Sequence, residues 1–117
     1  MLAEYKDLTV IITNAKKAIV EVGNWDYAVI QVVGATGAMS ISATNDGGAI
    51  QGTSLGSWKT STNYTAIQAT KLSDGTSVSA LVADGLYRIG VVGRYLQIGD
   101  GTTAAATKCI IMLSKIS

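Results

Sequence analysis

With 117 residues and a formal net charge of +1, the chain carries charge on only 15% of its positions, against about 25% in ordinary soluble domains. Its basic residues are scattered from Lys6 to Lys115 and form no stripe for a phosphate backbone, which excludes nucleic acid as a partner; no run approaches the ~20 apolar residues of a membrane span. The absence of histidine, beside a single cysteine, leaves little from which to build an active site and no His-assisted nucleophile.

One domain covering residues 1–117 is expected, since no linker, repeat or composition break divides the chain. The opening residues 1–14 carry acidic side chains and no uninterrupted apolar core, so a protein made and kept in a cytoplasm is expected. The first strand is read at residues 8–12, where Leu8 is followed by the β-branched Thr9, Val10, Ile11 and Ile12. Lys16-Lys17 then reads as a solvated turn, followed by a strand at 18–22 and a Gly23-Asn24 turn. Residues 27–33 are apolar at both parities, which suits a central strand packed on both faces, one of them against another subunit. Gly34-Ala35-Thr36-Gly37 lacks the Gly-Lys-Ser/Thr ending of a phosphate loop and leads into an alternating strand at 38–44, so it is a turn.

Further on, residues 64–72 are read as a strand in preference to a short helix, because Tyr64, Thr65, Ile67 and Thr70 favour a pleated surface. Strands follow at 77–82, 86–92 and 95–98, and an apolar run around Cys109 to Leu113 makes a last strand at 108–116. Four of the eight carboxylates stand in Asp-Gly pairs: Asp46-Gly47, Asp74-Gly75, Asp84-Gly85 and Asp100-Gly101. Glycine accepts the positive φ of tight turns and aspartate bonds its own backbone, so these aspartates serve geometry. The oxygen-rich loops at Asn45 to Gly48 and Gly99 to Gly101 lack the ligand spacing of known calcium motifs. The fold expected is all-β: a single antiparallel β-sandwich, jelly-roll or immunoglobulin-like, of about eight or nine short strands.

No catalytic, cofactor-binding or metal-binding residues are expected. Carboxylates outside the turns (Glu4, Asp7, Glu21, Asp26) show no spacing that predicts an acid–base pair. Cys109, in an apolar strand, reads as an inert small hydrophobe. A weakly charged surface without proline to blunt its edges points instead to an assembly component. The interface candidates are Leu8, Val10, Ile12, Arg88, Ile110, Met112 and Ile116, on the N-terminal and C-terminal strands read as edges and on the strand at 86–92. An alternative site is a glycan platform of Trp25, Trp58 and Tyr95, whose rings could stack on sugars.

The successions Asn24 to Gly34, Gly37 to Gly48 and Gly85 to Ile98 carry a likeness. An aromatic-Ala-Val-x-Gln-Val-x-Gly strand leads to a Thr-Asn-Asp-Gly turn, and a later Gly-Leu-Tyr-Arg strand runs into a glycine turn and another strand. This pattern resembles small β-sandwich structural proteins of tailed bacteriophages. The resemblance implies a non-enzymatic virion component without catalytic residues or cofactor. The role expected is a capsid decoration or cement protein, assembled in the host cytoplasm and seated on the capsid surface. Its implied partners are the major capsid protein and copies of itself in a dimer or trimer. The other implied role is a tail-fibre or baseplate module binding host-surface glycans.

Overall fold

The computed structural model describes residues 2–35, 37–45, 64–90, 94–99 and 108–115, and the statements below concern these residues. They form eleven strands and one short helix. Six strands make the larger sheet: β1 (Leu2–Asp7), β11 (Lys108–Lys115), β3 (Tyr27–Val33), β9 (Gly85–Gly90), β6 (Ala69–Lys71) and β7 (Ser77–Val78), in that spatial order. The smaller sheet runs β2 (Ala18–Glu21), β10 (Tyr95–Ile98), β4 (Met39–Thr44) and β5 (Thr65–Ala66), with β8 (Ala80–Leu81) also paired to β4. Every pairing is antiparallel. The two sheets pack as a sandwich. The count exceeds the eight or nine strands expected because β5, β7 and β8 are two-residue pairings, too short to leave a periodic pattern.

Alternation within the strands fills the space between the sheets. Ala28, Ile30 and Val32 of β3, Tyr87 and Ile89 of β9, and Cys109, Ile111 and Leu113 of β11 face Val20, Ile41, Leu96 and Ile98 of the smaller sheet in one core. Tyr87 is buried in it, and its hydroxyl donates to the Ala83 carbonyl at 2.6 Å, four residues upstream. That bond satisfies the phenol and closes the turn into β9, as the tyrosine corner does in Greek-key sandwiches. The segment read as a strand at 77–82 is in fact two pieces. Val78 pairs with Ala69 in one sheet and Leu81 with Met39 in the other, so the chain changes sheets at Ser79.

The strand expected at 8–12 is the helix α1 (Thr9–Ala15). Leu8 and Ile12, one helical turn apart, both reach full burial in the core, while Val10 on the opposite side is 69% exposed. An alternating strand would have placed all three on one face. The helix ends at Lys16, in the left-handed conformation at φ 63°. It abuts Gly99 (φ +87°), where a Cβ would run into the Lys16 carbonyl oxygen, so glycine is required there. The first strand lies earlier than expected, at β1, and β11 is an interior strand flanked by β1 and β3. The C-terminal strand is therefore no edge of the sheet.

A small relay joins the two ends of the described chain. The Thr9 hydroxyl donates to Asp7 Oδ1 at 2.6 Å and accepts the Cys109 N–H at 3.0 Å, and the Thr9 N–H adds a second bond to Asp7 at 3.0 Å. The Thr9 hydroxyl and then its N–H hold the Asp7 carboxyl below its ordinary value of 3.8. Because the shift is downward, its contribution to stability is complete above that value and lost as pH falls through the lower value of the folded state.

Two stability measurements follow. In urea titrations Ile12→Ala costs about 2–5 kcal/mol, whereas Val10→Ala stays within about 0.5 kcal/mol, a contrast that a strand at 8–12 would erase. Asp7→Asn, which mimics the protonated carboxyl, is less stable than the wild type at neutral pH. That deficit closes as the pH is taken below 3.8, and an unchanged deficit would refute the relay.

Candidate functional site

The register of the larger sheet defines its outer face side chain by side chain. Tyr5 lies opposite Met112, Met112 opposite Val29, Val29 opposite Arg88, and Arg88 opposite Thr70. The next row reads Asp7, Ile110, Gln31 and Leu86, with Val33 opposite Lys108 beyond it. Cross-strand partners share a face, so Tyr5, Val29, Val33, Leu86, Ile110 and Met112 stand together on the side away from the core. Tyr5 is 69% exposed, Leu86 45% and Val33 38%; the other three are half-buried. Leu72, likewise exposed, donates its N–H to the Leu86 carbonyl at 2.9 Å and widens the patch.

Charge enters this face sparingly. The Arg88 guanidinium carbon sits 4.6 Å from the centroid of the Tyr27 ring, one step diagonally across the β3–β9 pair. Stacked there, the cation covers aromatic surface and keeps its planar fork available at the rim. Strands spaced ~4.8 Å and rising ~3.3 Å per residue give the face roughly 400–500 Å². Its apolar side chains are interleaved with Asp7, Gln31, Arg88, Thr70 and Lys108, so it is a mixed face with an apolar centre at Tyr5, Met112, Val29 and Ile110.

Three of the sequence-derived interface candidates, Arg88, Ile110 and Met112, meet on this face. Val10 is exposed on α1, outside the sheet. Leu8 and Ile12 are corrected: as core residues with no exposed surface they cannot contact a partner. Ile116 lies outside the described residues. Sequence reasoning missed Tyr5, Val29, Val33, Leu72 and Leu86. The signal available was the apolar character of residues 27–33 at both parities, which says that the outward set is apolar as well as the inward one.

Of the glycan platform, the described residues speak against Tyr95. Tyr95, on the interior strand β10, is only 8% exposed, and the Arg94 guanidinium lies 5.4 Å from its ring centroid. Trp25 is half-buried and packs against the core. Trp58 lies outside the described residues. A recess lined by Val22, Ala28, Ala43, Ile67, Ile89, Gly90 and Leu96 opens between the sheets, but its volume of about 10 Å³ is that of one water, too small for a ligand.

The turn aspartates within the described residues bond backbone. Asp84 accepts the N–H groups of Gly34 and Ala35 at 2.8 and 3.2 Å, tying the loop after β3 to the entry of β9. Asp74 accepts the Thr76 N–H at 3.0 Å and its hydroxyl at 2.8 Å, bonds that lower its carboxyl below the ordinary value. Asp46 and Asp100 lie outside the described residues. Glu4 pairs with Lys6 at 2.6 Å on the edge strand. Among the described residues no three acidic or cysteine side chains converge. The Cys109 thiol, buried beside the Asp7 charge, is pushed up to about 12 and stays protonated at neutral pH.

No protein-family model matches the chain, and no curated protein matches it. Among solved structures, it is similar to the SPBc2 prophage-derived protein YomS, with a TM-score of 0.61 over 97% of this chain and 94% of that one, at 12% sequence identity. The likeness is one of fold.

Proposed function

We propose that the chain is a non-enzymatic structural protein of a tailed bacteriophage, acting as a capsid decoration protein that binds the assembled lattice of the major capsid protein. The observation that carries this reading is the outer face of the larger sheet, where Tyr5, Leu86 and Val33 are exposed around Ile110 and Met112, with Asp7, Arg88 and Lys108 among them. Such a face binds by area and shape. The sequence resemblance to phage β-sandwich proteins supports the viral setting, as does the shared fold with a prophage-derived protein.

The magnitudes suit a lattice. Roughly 400–500 Å² per copy is about half of what each partner buries in a stable one-to-one complex, so a single contact is weak. Repetition over a shell raises the effective affinity of copies that touch more than one site. A protein that binds the closed lattice and not its loose subunits shifts assembly toward the closed shell by mass action.

The test is the position of the chain in purified particles separated into heads and tails. It is expected with the heads, and heads stripped of it lose integrity at a lower temperature and regain it when the pure protein is added back. Leu86→Asp and Val33→Asp, at exposed positions, keep the fold and fail in the add-back. Recovery in the tail fraction would favour a tail module, and absence from particles would end the reading.

A further inference from the structure

We infer that a second copy of this chain docks on the free edge of β1, extending the six-stranded sheet through a two-fold axis at Tyr5. The inference concerns the edge and stands whether or not the outer face binds a shell. β1 is the outermost strand of the larger sheet; β11 pairs with one side of it, and among the described residues nothing pairs with the other.

Which backbone groups face the open side follows from the register. Antiparallel partners alternate between pairs that exchange hydrogen bonds and pairs that do not. The Leu8 N–H donates to the Cys109 carbonyl at 2.7 Å, so the even-numbered residues direct their backbone groups toward β11. Ala3, Tyr5 and Asp7 therefore turn theirs to the open edge. An antiparallel strand added there must set odd residues against odd ones.

Three near-central registers of a two-fold pairing meet that condition, and charge separates them. An axis at Glu4 sets Glu4 against Glu4, and an axis at Lys6 sets Lys6 against Lys6. An axis at Tyr5 sets Glu4 against Lys6 twice, Tyr5 against Tyr5, and Ala3 against Asp7. Like charges directly opposite repel, whereas opposite charges and aromatic pairs attract. Glu4 and Lys6 already form an ion pair within the chain at 2.6 Å, so the Tyr5 axis builds a ring of four alternating charges. Charged residues on an edge strand normally deter pairing. Here two opposite signs two residues apart are complementary to their own antiparallel copy, and this selects a second copy over another strand.

Tyr5 is 69% exposed and stands on the outer face opposite Met112. In the dimer the row Tyr5, Met112, Val29, Arg88 meets its symmetry mate at the two Tyr5 rings, and the apolar surface becomes continuous across both copies.

Sedimentation velocity of the full chain over a micromolar concentration series tests the proposal. The wild type is expected to dimerise. Glu4→Lys and Lys6→Glu each turn two attractive contacts into two repulsive ones and raise the dimer dissociation constant about tenfold or more. The double exchange Glu4→Lys with Lys6→Glu restores the alternation and brings the constant back to within about threefold of the wild type. Tyr5→Pro deletes an outward N–H while sparing the β1–β11 bonds, and yields a monomer with unchanged circular dichroism. A wild type that stays monomeric, a dimer indifferent to the single reversals, or a folded double exchange that fails to dimerise would each overturn the assignment.

Discussion

The placement of β11 between β1 and β3 is the constraint from which both faces of the larger sheet follow. Its register fixes Cys109, Ile111 and Leu113 inward and Ile110 and Met112 outward, and it hands the same parity to Tyr5 on one side and Val29 on the other. A slip by one residue would exchange the two sets. The relay from Asp7 through the Thr9 hydroxyl to the Cys109 N–H pins that register at one end. At the other end, the Ser114 carbonyl accepts the Asp26 N–H at 2.8 Å. The core and the outward patch are thus two readings of one alignment.

Much of the sandwich was legible as alternation. Residues 39–44 are a strand where period two places it, and 95–98 are a strand ahead of a turn glycine, Gly99. The N-terminal segment departs from its local pattern for a physical reason. Leu8, Val10 and Ile12 fit a period of two, while Leu8 and Ile12 alone fit a helical turn, and the β-branched Thr9, Val10, Ile11 and Ile12 favour the strand. Tertiary packing overrides that preference: the helix lets Leu8 and Ile12 enter the same core position from one side and frees Val10. β1 escaped notice because Glu4, Tyr5, Lys6 and Asp7 carry no buried face of their own and owe their strand conformation to β11.

The turn aspartates show the reach and the limit of local reading. That Asp74 would bond backbone two residues on is written in Asp-Gly-Thr itself. Nothing near Asp84 announces that its partners are the amides of Gly34 and Ala35, about fifty residues earlier. The outer face has the same character. Its members come from five separate segments, and only the strand order brings Arg88 beside Tyr27 and Tyr5 beside Met112. Composition could say that some weakly charged surface must be covered; which surface is a property of topology.

Face and edge meet at one residue. Tyr5 offers its backbone to the open side of β1 and its ring to the outer face, so the proposed pairing and the proposed covering of the face would both act on this residue. When the edge pairs with a second copy, the Tyr5 backbone is fixed and its ring is held beside its mate. The face then presents a larger, better ordered surface, and part of the conformational entropy that a partner would have to remove is already gone. If pairing strengthened binding at the face in this way, reciprocity would require that a partner on the face favour the paired edge by the same factor. A chain with so little net charge has no long-range field to draw partners in. Its selectivity has to come from short-range fit, and Tyr5, shared by the charge-alternating strand β1 and the outer face, is where the two proposed contacts would meet.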